Sequence, residues 1–216
     1  MESASKLSTK GAVMNTYYIV RHGKTLWNTQ KRTQGQKDSM LTEDAINKAH
    51  ILSQYIKDTN IDKVYSSDLK RASETAKLIR PGSEIMLEKG FREINFGLWE
   101  GMTIEEITSA YPELYTNWQS HPEKVTFLQG ESILQAYERV QKTFWEIDSR
   151  HQNETILIVA HAMVIKLLLV GLMESPINKI FNIIQTNLSL NIIKTHNKKA
   201  TIVTINSTEH LKHNSI

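Results

Sequence analysis

Tyr17-Tyr18-Ile19-Val20-Arg21-His22-Gly23 and Ile156-Leu157-Ile158-Val159-Ala160-His161 decide the fold. Each is a short, continuous apolar run with β-branched residues that breaks off at a histidine. Such runs, without polar alternation, read as strands covered on both faces by other layers. In sheets of that kind, ligands collect at the carboxyl ends of the strands. Two strands that each release a histidine there, one with an arginine attached, present imidazole and guanidinium to an anion. The pattern points to phosphate. A histidine after a strand is as often a satisfied core residue as a functional one. The adjoining Arg21 and Gly23, with His161 as a counterpart, shift the reading of His22 toward function.

Around these strands the chain alternates. A polar loop spans residues 21–41. Thr42 stands as an N-cap, Glu43 and Asp44 suit the positive end of a helix dipole, and Ala45, Ala49, Leu52 and Ile56 recur at helical spacing. That predicts a helix over 42–59. A strand over 61–65, a helix over 69–79 stopped by Pro81-Gly82, and a short strand near 84–87 follow. Residues 91–129 are irregular and rich in Trp, Pro and Gly, with short helices at 104–111 and about 112–118. Ile133, Tyr137, Val140, Phe144 and Ile147 mark a long amphipathic helix. After the second decisive strand come a helix through about Leu172 and a short one past Pro176. Alternating segments 188–194 and 200–205 form a closing hairpin. The predicted class is α/β: a three-layer α/β/α sandwich whose central sheet is mainly parallel, with antiparallel C-terminal strands.

The 216 residues are 40% hydrophobic and 23% charged, which fits one domain over 14–207. Residues 1–13 read as a disordered extension and 208–216 as a polar tail that frays from about Ser207. His210 and His213 have metal-compatible spacing, but in a fraying tail they read as solvent-exposed. Segment 91–129 is too long for padding in so compact a domain, so it reads as a lid or pocket wall. Its Trp99, Trp118 and Phe127 read as a packed core of that segment rather than a base-stacking platform. A net charge of +3 without a basic stripe argues against nucleic acid. No apolar stretch is long enough to span a bilayer. The absence of cysteine excludes disulfide and thiolate chemistry and fits a cytoplasmic protein.

Phosphoryl transfer needs an in-line nucleophile, cations on the equatorial oxygens and a proton for the leaving oxygen. A neutral imidazole is competent near neutral pH, and an adjacent arginine helps keep His22 neutral. Arg21 can grip phosphate by its planar fork. Gly23 permits close backbone approach, and Thr25 and Asn28 are possible further donors, although simple turn chemistry explains that pair better. Arg71 falls in the first turn of a helix after Ser66-Ser67-Asp68-Leu69, near the same sheet edge. Alone it would read as a surface ion pair, and Glu93 alone as a solvated carboxylate. Ala162 offers a backbone N–H at a helix start.

Taken in order, Arg21-His22-Gly23, Ser67-Asp68-Leu69-Lys70-Arg71-Ala72, Arg92-Glu93-Ile94-Asn95-Phe96-Gly97-Leu98-Trp99-Glu100-Gly101, Gly130-Glu131-Ser132 and the late strand-histidine resemble the histidine phosphatase, or phosphoglycerate-mutase-like, superfamily. The resemblance covers about residues 16–190. It implies that His22 is a nucleophile phosphorylated in turnover, that Arg21, Arg71, His161 and Asn28 bind phosphate, and that Glu93 is the general acid. Gln34-Gly35 would wall the pocket, and Gly130-Glu131-Ser132 would start the long helix in a structural role. Ala162 and Met163 stand where the family often has glycines, and Met40 where it often has proline. The resemblance implies no metal or other cofactor, since two arginines and two histidines can offset a phosphate dianion.

Phosphoglycerate mutases follow the acid with Arg-His-Tyr-Gly; here Glu93 precedes Ile94-Asn95-Phe96-Gly97. The continuation resembles the phosphatase branch, including α-ribazole and broad-specificity phosphatases. A small-molecule phosphate ester is therefore the expected partner, with α-ribazole 5′-phosphate, and so cobalamin assembly, one candidate. A mutase is the second reading, and a weakly catalytic interaction domain the third.

Overall fold

A computed structural model describes residues 14–212. The chain runs β1 (Met14–Arg21), α1 (Leu26–Thr29), α2 (Glu43–Tyr55), β2 (Lys63–Ser66), α3 (Lys70–Ile79), β3 (Ile85–Leu87), α4 (Ile104–Ala110), α5 (Pro112–Ser120), α6 (Ile133–Arg150), β4 (Thr155–Ala160), α7 (Ala162–Leu172), β5 (Leu190–His196), β6 (Lys199–Ser207) and α8 (Glu209–Lys212). One six-stranded sheet has the order β3-β2-β4-β1-β5-β6. The first four strands in that order run parallel; β5 pairs antiparallel with β1, and β6 antiparallel with β5.

The unalternating apolar runs find apolar partners on both sides because successive strand residues face opposite ways. Ile156, Ile158 and Ala160 of β4 enter a core shared with Val140 and Phe144 of α6 and Val164 and Leu168 of α7. Leu157 and Val159 point the other way, into a second core with Leu52 of α2 and Ala76 and Ile79 of α3. These are the three layers. Segment 91–129 packs its aromatics into the first core: Phe127 meets Phe96, Trp99 and Trp118 at centroid separations of 4.8, 5.0 and 5.4 Å, all near edge-to-face.

Several boundaries differ from the sequence reading. The second helix ends at Tyr55, because after Ile56 the apolar period gives way to Lys57-Asp58-Thr59-Asn60. The loop after β1 holds the short α1. The closing hairpin turns on Asn197 and Lys198 alone, with φ of 49° and 58°, the two-residue left-handed turn that matches strand twist. The tail is a correction. Instead of fraying from Ser207, Glu209–Lys212 forms a helical turn, and His210, expected in solvent, is buried with its ring 5.6 Å from that of Tyr55 on α2. His213, like residues 1–13, lies outside the described residues.

Candidate active site

Strand register alone brings the histidines together. β1 and β4 are parallel neighbours with Arg21 opposite Ala160, so the next residue of each strand emerges at the same height. The His22 N–H donates to Ala160 O at 2.9 Å, and the His22 and His161 rings lie 5.1 Å apart. Both side chains are buried. β2, on the far side of β4, delivers the start of α3 to the same edge, and Arg71 extends from there to bring its Nε 3.3 Å from His22 Nε2.

The tautomer of His22 follows from its neighbours. Nδ1 lies 2.7 Å from Gly23 O, an acceptor, so Nδ1 carries the proton. Nε2 then carries the ring's single in-plane lone pair, which accepts from Arg71 Nε–H. Burial, then Arg71 and Arg21, hold the His22 pKa well below the usual imidazole value, so the ring is neutral at physiological pH. Burial and the same arginines also keep His161 neutral.

Glu93 completes the group. Its carboxylate accepts from the N–H of Met163 and Val164 at 3.3 Å each, at the start of α7, and from Ile94 N–H at 3.1 Å. Its pKa is raised, because burial outweighs the opposing pull of Arg71, these N–H groups and Arg21. Flanking contacts fix its position. Arg92 pairs with Asp68 through Nε at 2.7 Å, and Arg139 donates to Gly90 O and Arg92 O at 2.8 and 2.9 Å. Arg139 also pairs with Glu131, while Ser132 caps α6, so Gly130-Glu131-Ser132 is structural as expected.

Arg71 has a second function. Its Nη1 donates to Lys37 O and to Asp38 Oδ1 at 2.8 and 2.9 Å, and its Nη2 to Gly35 O at 2.6 Å. The guanidinium thereby anchors the 34–38 loop. At Gly35, φ is +56° and an added Cβ would lie 2.1 Å from Glu100 Oε1, so any other residue is strained and must displace Glu100.

Arg21 sends Nη1 to Gln185 O at 2.6 Å, while its buried Nε and both ring nitrogens of His161 have no hydrogen-bond partner among the described residues. Gln34 Oε1 is similarly unpartnered. Burial brings the Arg21 pKa down to about 10, so it stays cationic. Buried polar groups almost always pair, and such exceptions mark positions where a ligand supplies the partner. Arg21 Nε–H and one ring N–H of His161 are donors open to an anionic ligand, beside Arg71 and His22, whereas Gln34 Oε1 is an acceptor and does not suit an anion.

Two expected phosphate contacts are otherwise engaged. Gly23 N–H donates to Thr75 Oγ1 at 3.0 Å, and an added Cβ would lie 3.0 Å from Ala45 Cβ, so this glycine serves helix packing. Thr25 caps α1 in a reciprocal box with Asn28, the turn chemistry that already looked the better explanation. The start of α7 receives Glu93 at Met163 and Val164, leaving only Ala162 to serve an anion there. Asn28 Oδ1 accepts from Thr25 N–H at 3.1 Å, so its amide nitrogen takes no part in that cap.

Two contributors escaped the sequence reading. Asn187 donates to His22 O at 2.9 Å, bracing that residue's backbone, and Asp38 is the Arg71 counter-ion. A polar Gln185-Thr186-Asn187 between Ile184 and Leu188 was the signal available for the first. Among the described residues, no group of three or more His, Cys, Asp or Glu could hold a metal ion, and no helix is long and apolar enough to cross a membrane.

A profile of the histidine phosphatase superfamily (branch 1) matches residues 17–208. The chain belongs to that family. Phosphoserine phosphatase 1 of Hydrogenobacter thermophilus is 33% identical over 195 residues, 89% of this chain and 92% of the relative. A probable phosphoglycerate mutase of Yersinia pestis is 33% identical over 161 residues, covering 74% and 75%. Among solved structures, a phosphoserine phosphatase variant from Entamoeba histolytica in complex with phosphoserine superposes with a TM-score of 0.84 at 30% identity, covering 91% of this chain and 99% of that one. The α-ribazole phosphatase of Shigella flexneri gives 0.82 at 26%, covering 89% and 96%. This histidine phosphatase is an enzyme with phosphatase activity on small phosphates.

Proposed function

We propose a phosphomonoesterase that works through a phosphohistidine at His22. The observation that carries it is the Nδ1-protonated His22, whose Nε2 lies 3.3 Å from Arg71 Nε and whose ring sits 5.1 Å from that of His161, with Arg21 Nε and the His161 ring nitrogens unpartnered. In this reading His22 Nε2 attacks phosphorus as the ester P–O bond breaks, and the leaving oxygen takes the Glu93 proton. Arg21, Arg71, His161, Asn28 and the Ala162 N–H hold the equatorial oxygens, with Gln34 and Gly35 in the wall. Water then attacks phosphorus and gives its proton to Glu93, and the P–N bond breaks with its electron pair returning to His22. Segment 91–129, which contributes Glu93, acts as wall or lid, and a cytoplasmic location fits a cysteine-free chain.

Rapid quench with labelled substrate tests the intermediate. The expected adduct is acid-labile, base-stable and absent in His22→Ala, and full turnover by that variant refutes the mechanism. Ile94-Asn95-Phe96 in place of a mutase's Arg-His-Tyr favours hydrolysis, while the Yersinia relative keeps phosphoglycerate mutation as the second reading. Efficient conversion of 3- to 2-phosphoglycerate with little phosphate release decides for the mutase. For α-ribazole 5′-phosphate, supported by the Shigella structure, the test is kcat/KM against phosphoserine, phosphoglycerates and nucleotides.

A further inference from the structure

The helix that opens beside the catalytic histidines carries one charged side chain. Along Ala162-Met163-Val164-Ile165-Lys166-Leu167-Leu168-Leu169-Val170-Gly171-Leu172, Lys166 interrupts an otherwise apolar sequence. Val164, Ile165 and Leu167 to Val170 are buried, whereas Ala162, Met163 and Lys166 are half-buried. Spacings of three and four residues put those last three on one stripe. The stripe starts at the site, since the Met163 N–H donates to Glu93. Lys166 follows about 4.5 Å farther along the axis. Long side chains on a helix lean toward its N-terminus, which turns the ammonium back toward Glu93.

Its nearest surroundings are aromatic. Lys166 Nζ lies 5.9 Å from the Phe181 ring centroid, and Phe181 packs edge-on against Trp118 at 4.9 Å. Among the described residues no carboxylate lies within ion-pair distance of it. Burial and the field of Arg21 lower its pKa, opposed by Glu93, which ties it electrostatically to both site residues. A half-buried ammonium in the field of Arg21, without an ion-pair partner and with Glu93 protonated as the assigned acid, is an arrangement that an anionic ligand relieves.

We propose that Lys166 is a specificity-determining residue that takes a carboxylate on the leaving-group side of the substrate, making esters of short phosphorylated hydroxy or amino acids the preferred class. This builds on the assignment of His22 and Glu93 above. With the phosphoryl group on His22 and the ester oxygen toward Glu93, the next group out along α7 meets Lys166. In a three-carbon acid phosphorylated at its far end, the carboxyl carbon lies three bonds from that oxygen. Phe181, Trp118 and Met163 would exclude water from the pair and strengthen it. An ester without an acid group leaves the lysine unpaired, which disfavours α-ribazole 5′-phosphate.

The test compares kcat/KM for 3-phosphoglycerate and glycerol 3-phosphate, which share a frame but differ by carboxylate against hydroxymethyl. In K166Q the ratio of the two should fall roughly ten- to hundredfold, the usual range for one charge-assisted hydrogen bond, and mainly through KM. K166R should retain most of it. Titration calorimetry of both ligands into His22→Ala and His22→Ala/Lys166→Gln proteins should show the same discrimination without turnover. Equal losses on both esters, or an unchanged ratio in a folded K166Q protein, overturn the proposal. Absence of phosphate release from every ester by the wild-type protein instead refutes the phosphatase reading, and calorimetry still decides Lys166.

Discussion

Glu93→Gln separates proton donation from scaffolding. The carboxylate accepts three backbone N–H groups, from Ile94, Met163 and Val164. Glutamine keeps one acceptor oxygen, which can still serve Ile94 and Val164 through the Oε1 position. Its NH₂ then faces the Met163 N–H, a donor against a donor. One unsatisfied buried donor costs about 1–3 kcal/mol. For a domain near 200 residues, each kcal/mol lowers Tm by about 2–4 °C. A fall in Tm of about 2–12 °C is therefore expected by calorimetry, with the fold intact. The catalytic loss is separate. Alkyl phosphates need a proton on the leaving oxygen, and a positioned acid gives about 10²–10⁴-fold, or roughly 3–5 kcal/mol of barrier. p-Nitrophenyl phosphate leaves as a stabilised phenolate and should lose far less. The pH profile carries the same signature. His22 must be deprotonated and its pKa is lowered, so that limb lies well on the acid side; Glu93 must be protonated and its pKa is raised, so alkyl-ester turnover declines as pH climbs through that value. Glu93→Gln should abolish the alkaline limb. Equal losses on alkyl and aryl esters, or a retained limb, would refute Glu93 as the acid.

Arg71→Lys keeps the charge but not the fork that binds Gly35 O, Lys37 O and Asp38; kcat/KM should fall at least tenfold for every ester, and residues 34–38 should exchange amide hydrogen faster. Unchanged exchange would show that the loop does not depend on the guanidinium. Gly35→Ala forces a left-handed alanine against Glu100, so a loss of about 1–3 kcal/mol in denaturant melts is expected, with a wild-type midpoint as the contrary result. His210 is buried with its pKa lowered, chiefly by burial, so the unfolded state takes up its proton first. The packing of α8 is therefore fully supported above the ordinary histidine value and weakens as pH falls below it. Corrected for the intrinsic slowing of exchange at lower pH, protection at 209–212 should fall between about pH 7.5 and 5.5 and lose that dependence in His210→Leu. Chelators should leave turnover unchanged, since the site as assigned uses no metal.

The main fold was legible because the two decisive strands are unalternating and end at histidines, a local pattern with a direct tertiary meaning. Arg71 and Glu93 were legible only within their longer motifs, since each alone reads as a surface charge. Asn187 and Asp38 were not, because their role arises where separate loops converge on β1 and α3, and no local periodicity encodes that. Gly23 was expected to bring the backbone close to a ligand, whereas Thr75 and Ala45 engage it; for Thr25 the turn chemistry that was the better explanation is what the cap with Asn28 shows. The four-residue α8 is too short for a periodic signal; the Tyr55 contact that buries His210 comes from the distant α2.

The pairing of β1 with β4 also governs how the protein must be made. Thr16 meets Thr155 and Arg21 meets Ala160, so one half of the histidine pair is synthesised long before the other. A ribosome adds roughly 5–20 residues per second, so β1 waits many seconds for its neighbour. Meanwhile the nascent chain displays an apolar strand with both edges open, a prime target for holdase chaperones and for mispairing. Pairing across such sequence separation is slow, and a slip of one residue would turn His22 to the opposite face of the sheet. Recovery of turnover on refolding should therefore report completion of this late, long-range step rather than the earlier appearance of helical signal.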